Sequence, residues 1–194
     1  MSRLYYMGDT TNAEVHVTKE WQTANEHLFH KECGDPRLYQ WPQNIHLEYT
    51  ILGRGRTCTI YPLSRAIVHR SIWDLLGSED VREHALFAPV GSTDEGTASD
   101  WMVVGAKNYI TVRSYKKGSY RQCPWCGRYF YSAGRPRFVL LPQEQILPIY
   151  QNYTGILIVR EDIYERLKPF ARKFHIRFEE LTIESEPKDG FGWF

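Results

Sequence analysis

The sequence predicts an α+β fold of two similar strand–helix–strand halves, and three observations carry that prediction. The C-terminal third reads as strand, helix and strand in succession. The middle of the chain repeats that apolar pattern at a fixed offset, and a short turn of thiol or imidazole side chains precedes the pattern each time. The 194 residues suffice for one large domain or two small ones packed together. We read one domain, with pseudo-repeat halves of about 1–92 and 101–194 joined by the polar loop 91–100.

Taken in order, "RLYYM" at the N terminus has the β-type composition of a strand and runs into the turn-forming "GDTT". Residues 13–28 give a mixed pattern ending in "NEHLF", read as a short helix. "KECGDPRLYQWPQN" is rich in turn formers and reads as a loop. "HLEYTIL" and "TCTIYPL" are short strands around "GRGR". "AIVHR" reads as a strand and Ser71 as the cap of a helix that starts at Ile72 and stops at Gly77, before "HALFAPV" returns as a strand. "GSTDEGTASD" is a polar linker, and "WMVVGAKNYITVRSY" two strands leading to "KKGSYRQ" and then "CPWCGR".

The C-terminal third is the most explicit. An apolar run from Ile156 to Val159 reads as a strand, with Asp162 as N-cap. Ile163, Leu167 and Phe170 then recur on one helix face. Pro169 opposes continuation of the helix after Lys168, because it lacks the amide proton the helical ladder needs. "IRFEEL" alternates as a strand, and the tail "ESEPKDGFGWF" reads as extended or loosely ordered. The echo is then direct: "IVHRSIWDLL" from Ile67 aligns with "IVREDIYERL" from Ile158. Val68 falls on Val159, Ile72 on Ile163, Leu76 on Leu167 and Phe87 on Phe178, each 91 residues apart (159 − 68, 178 − 87).

Composition narrows the function classes. Charged residues make up 24% and hydrophobic residues 42%, the balance of a folded protein rather than a disordered one. A net charge of +1 supplies no general field toward nucleic acid or an acidic membrane. The one basic run, Arg113 to Arg137 with Lys116, Lys117, Arg121, Arg128 and Arg135, reads as a solvated loop. Aromatic residues reach 14%, which suits a partner-binding surface or an aromatic core. "MSRLYYMGDTT" carries no apolar leader, and no 18-residue apolar run follows, so a cytoplasmic location is expected. In that reducing compartment four Cys read as metal ligands or reactive thiols before disulfides.

"CPWCGR" is the clearest chemical motif. A Cys-x-x-Cys-Gly turn aims two sulfurs at one point, and glycine lets the backbone fold under a metal ion. Cys126 lies 93 residues after Cys33 (126 − 33), close to the repeat offset, and each precedes a glycine. Three positions before them stand Cys123 and His30. His30, Cys33, Cys123 and Cys126 therefore make a candidate four-ligand structural zinc site, a zinc-knuckle pair clamping segments 90 residues apart (123 − 33). His27 is an alternative ligand to His30, while Cys58, without a partner at ligand spacing, reads as a small buried residue. A thioredoxin-like couple would need a helix starting at the motif, and "RYFYSAGRPRF" does not read as one. No phosphate loop, zinc-protease or nucleophile-elbow motif occurs, so no catalytic residue is assigned and a non-enzymatic protein is expected.

With these residues in view, the chain resembles the double-CXXCG motif family of small bacterial proteins. The resemblance rests on "CPWCGR", "LLP" at 140–142, "NYTGILIV" at 152–159, "IYERL" and "IRFEEL". It is weaker over 30–90, where His30 replaces the first cysteine of the first motif, and is missing from 91–100 and the tail. The family implies an immunity protein that binds a cognate bacterial toxin and blocks it. Two other readings stay open. One is a zinc-ribbon nucleic-acid module using Arg121, Arg128, Arg135 and Arg137 with Tyr129, Phe130 and Tyr131; the other is a thiol oxidoreductase using Cys123 and Cys126.

Overall fold

In a computed structural model of the chain, strands and helices alternate through the sequence as an α+β arrangement. The structure describes residues 2–9, 14–17, 19–28, 45–46, 49–52, 57–61, 65–91, 100–113, 120–122, 129–131, 137–141, 146–152 and 156–185. The first elements are β1 (Leu4–Asp9), β2 (Glu14–Val17), α1 (Lys19–Ala24), a 3₁₀ turn (Glu26–Leu28), β3 (Ile45–His46), β4 (Tyr49–Leu52) and β5 (Thr57–Tyr61). β6 (Arg65–His69), α2 (Arg70–Leu76), α3 (Glu79–His84) and β7 (Ala85–Gly91) form the first strand–helix–strand unit. Then follow β8 (Trp101–Ala106), β9 (Thr111–Arg113), β10 (Tyr120–Gln122), β11 (Tyr129–Tyr131), β12 (Phe138–Leu140) and β13 (Ile149–Gln151). β14 (Leu157–Arg160), α4 (Glu161–Leu167), a second 3₁₀ turn (Lys168–Phe170), α5 (Ala171–Phe174) and β15 (Ile176–Glu184) form the second unit.

Local chemistry explains where these elements begin and end, and corrects several expectations. α2 starts at Arg70, because His69 rather than Ser71 is the cap: the Ser71 amide donates to His69 Nδ1 at 3.2 Å. Gly77 does end it, donating its amide to the Trp73 carbonyl at 2.6 Å. A further short helix, α3, then forms in "EDVREH", where Glu79 and Asp80 suit the positive end of the helix dipole. α4 starts at Glu161, and Asp162 lies in its first turn, where Arg160 Nε donates to it at 2.6 Å. Pro169 has the expected effect, since the helix tightens into the 3₁₀ turn there. Residues 13–28 contain a strand, β2, as well as a helix, and β15 runs three residues past "IRFEEL" to Glu184.

The strands form a six-stranded sheet, β13-β14-β1-β15-β12-β9, a seven-stranded sheet, β3-β7-β8-β6-β5-β2-β4, and the hairpin β10–β11. The six-stranded sheet curls until its ends meet. β9 pairs antiparallel with β12, and just upstream the Ile110 amide donates to the Gln151 carbonyl of β13 at 2.9 Å. Leu4, Val112, Val139, Tyr150, Ile158 and Leu181, one from each strand of this sheet, pack together inside it with Ile110. Alternation along a strand sends the neighbouring residues outward. Tyr5, Met7, Leu157 and Val159 thus join a larger core with Val68, Ile72, Leu76, Met102 and Val104 of the other sheet and its helix.

The two sheets share a register. Across β6, β8 and β7 run the rows Ala66–Val104–Phe87, Ile67–Val103–Ala88 and Val68–Met102–Pro89. Across β14, β1 and β15 run Leu157–Met7–Phe178, Ile158–Tyr6–Glu179 and Val159–Tyr5–Glu180. Outer members of matching rows differ by 91 (157 − 66, 178 − 87) and central members by 97 (104 − 7). The flanks match too. β5 runs antiparallel to β6 as β13 does to β14, and β3 parallel to β7 as β12 does to β15.

Candidate functional site

His30, Cys33, Cys123 and Cys126 lie outside the described residues, and so does 92–99 of the expected linker. His27 is exposed in the 3₁₀ turn Glu26–Leu28. What the structure gives is the frame around the motifs. β10 and β11, the strands on either side of "CPWCGR", pair antiparallel with Gln122 opposite Tyr129. A strand thus stands three residues after Cys126, where a thioredoxin-like site would need its helix to run on.

Each motif lies ahead of a strand that pairs in parallel with the return strand of a unit. "HKECG" falls between the 3₁₀ turn at 26–28 and β3, and "CPWCGR" falls between β9 and β12. β3 and β12 then add, in the same parallel sense, to the outer edges of β7 and β15. Among the described residues no group of three or more His, Cys, Asp or Glu side chains converges as a metal site.

The two ends of the basic run, Arg113 and Arg137, are engaged in internal ion pairs. Arg113 is buried at 3% exposure and pairs with Glu184, its Nε donating to Glu184 Oε2 at 3.0 Å. Its guanidinium also lies 3.6 Å from the centroid of the Phe138 ring. A charge taken out of water this far needs such a partner, so the pair ties β9 to the end of β15. Sequence reading missed it because Glu184 fell in the "ESEPKDGFGWF" tail. Arg137 at the other end of the run pairs with Glu179 at 2.8 Å. Burial also raises the pKa of Tyr5 and of Tyr150, whose hydroxyl accepts from the Leu147 amide at 2.8 Å.

An aromatic cluster beside α4 packs against the shared core. Tyr164 stacks on Tyr5 at 3.9 Å and meets Phe178 edge-on at 5.2 Å, with Lys168 Nζ 5.2 Å from the Tyr164 ring centroid. On the other unit Trp73 packs on Phe87 at 4.5 Å, and Phe87 is 40% exposed. Of these rings Phe87 keeps area that a partner could cover, while Tyr5 and Trp73 are already buried. No helix among the described residues is long and apolar enough to cross a membrane. No family model matches the chain, and a search of curated proteins finds no match either.

Proposed function

We propose that this chain is an immunity protein. On this reading it binds a bacterial toxin as a stoichiometric, non-enzymatic inhibitor in the cytoplasm. It consists of two similar halves held by one structural zinc ion at His30, Cys33, Cys123 and Cys126. The observation that carries the reading is the doubled placement of the motif segments, each ahead of a strand that joins the outer edge of a strand–helix–strand unit in one common register. That doubling is the arrangement the double-CXXCG resemblance implies.

Two further observations support it. The hairpin frame of "CPWCGR" suits a metal knuckle better than a redox couple. A core shared by both sheets gives a surface already ordered before binding, so little ordering cost is charged against affinity. Of the four arginines in the nucleic-acid reading, Arg137 is engaged by Glu179 at 2.8 Å.

The test is co-purification from the producing cell followed by native mass spectrometry. The expected species is a 1:1 complex with one zinc ion on this chain, and co-production of the chain should abolish the toxicity of the captured protein. A chain that protects against no such protein overturns the immunity reading. A zinc-free mass with a 123–126 disulfide overturns the clamp.

A further inference from the structure

The strand that completes each sheet comes from the wrong half of the chain. β1 opens the N-terminal half, yet it lies between β14 and β15, the two parallel strands of the C-terminal unit. β8 opens the C-terminal half, yet it lies between β6 and β7 of the N-terminal unit. Matching rows place Tyr5 with Met102, Tyr6 with Val103 and Met7 with Val104, so the two strands fill the same slot in the same direction and register. One residue further, both carry glycine, Gly8 and Gly105. From there each chain segment leaves the slot and returns to its own half: β2 pairs with β5, and Asn108–Ile110 bond to Gln151 of β13.

We propose that β1 and β8 are exchanged strands, which makes this chain the single-chain counterpart of an intertwined dimer. The inference rests on the two-half reading above. Contacts elsewhere have the form a two-fold axis requires, where a residue meets its own counterpart. Arg166 Nη1 donates to the carbonyl of Leu75 at 3.2 Å, and the two are 91 residues apart, the repeat offset itself. The shared core is likewise made of counterparts: Val68 with Val159, Ile72 with Ile163, Leu76 with Leu167, Met102 with Tyr5 and Val104 with Met7. At Gly105 the sheets are also tied together. Gln151 Oε1 accepts the Ala106 amide at 3.1 Å, and a Cβ on residue 105 would come within 2.7 Å of that oxygen.

The exchange has a mechanical consequence. Separating the halves means pulling a central strand out of both sheets, with a ladder on each side, instead of parting two surfaces. Neither half holds a complete sheet without the other. This locks the relative placement of the motif segments by backbone pairing, independently of any metal.

Cysteine pairs in the full chain test this, with a protease site built into 92–99 and cut after folding and oxidation. Exchanged strands place Val68→Cys beside Met102→Cys, and Tyr5→Cys beside Val159→Cys. The adjacent rows, Ile67→Cys with Val103→Cys and Tyr6→Cys with Ile158→Cys, are the second set. One row of each two is the non-hydrogen-bonded kind, whose Cβ atoms come within disulfide reach. The expected result is that these disulfides join the two cut pieces into one band on a non-reducing gel, which reduction splits in two. Peptide mass spectrometry separates them from links between native thiols. The opposite pairings, Tyr5→Cys with Val68→Cys and Met102→Cys with Val159→Cys, would leave two bands; if these form instead, the exchange is overturned while the two-half reading survives. Disulfides in neither arrangement overturn both. As a measurement free of substitutions, the cut chain without added cysteines should elute as one particle of full mass, and separate elution of the pieces overturns the exchange.

Discussion

The units β6–α2–α3–β7 and β14–α4–α5–β15 take one backbone plan and stabilise it with different side chains. At the start of the first helix, the N-terminal unit uses an imidazole, His69, as cap. The C-terminal unit has Arg160 there, which bonds Asp162 and reaches Asp80 of α3 at 2.7 Å. In mid-helix, one unit breaks at Gly77 and the other at Pro169. Before the return strand, α5 ends with His175 at φ 56, its amide bonded back to the carbonyls of Ala171 and Arg172. The two units hold in common the buried pairs Val68/Val159, Ile72/Ile163 and Leu76/Leu167; they differ in caps and breaks, and also in buried Val81 and Phe174, whose counterparts Arg172 and Glu83 are exposed. The difference teaches that the plan is encoded in a few fully buried positions, with caps and breaks free to be solved in more than one way.

The largest expected effect breaks the comparison on one side only. Glu184→Ala leaves Arg113 buried without its carboxylate, at a cost of about 3–5 kcal/mol. Replacing both, Arg113→Met with Glu184→Leu, should restore most of that loss in urea denaturation. If the double variant is no better than the single one, the pair is not an isolated buried unit. Next come the counterpart core residues. Ile72→Ala and Ile163→Ala each remove a fully buried side chain from the shared core and should each cost about 2–5 kcal/mol. Near-equal losses of midpoint sharpen the comparison, and a loss confined to one variant would show that one unit carries the core alone.

The smallest effect depends on pH. The hydrogen bond from Arg160 holds the Asp162 carboxyl below the ordinary aspartate value of 3.8. A carboxyl lowered in the folded state adds stability above that ordinary value and loses it as pH falls through the folded one. Asp162→Asn should therefore cost less than about 1 kcal/mol at neutral pH and flatten the fall in stability below pH ~4. The matching corner joins His69 Nδ1 to the Ser71 hydroxyl at 2.7 Å and holds no carboxyl at that position, so Ser71→Ala should leave the acid limb of that curve in place.

Much of the fold was legible because local patterns specify it. Ile67, Val68, Ile72 and Leu76 in one unit, and Ile158, Val159, Ile163 and Leu167 in the other, repeat at periods that only a strand followed by a helix can bury on one side. Both helix starts were placed two residues late: the His69 imidazole does the capping expected of Ser71, and Asp162 lies inside the first turn of α4, where it accepts from Arg160. α3 was missed because its six residues carry a single buried apolar side chain, Val81, too few to display a period. The candidate ligands His30, Cys33, Cys123 and Cys126 stand out by their spacing alone and lie outside the described residues. The Arg113–Glu184 pair was not legible at all, because 71 residues of chain separate its members.

The sequence by itself determined the strand–helix–strand patterns that begin at Ile67 and Ile158 and their offset of 91, which follow from residue type and spacing within short windows. Only the tertiary structure decided which strand completes each sheet. A slot between two parallel strands accepts any antiparallel strand of suitable alternation, since backbone amides and carbonyls bond without regard to the side chains they carry. "LYYMG" and "WMVVG" fit that slot equally well on paper. The choice between them is made by where the connections at 10–13 and 107–108 must lead, and by a shared core that both sheets complete together.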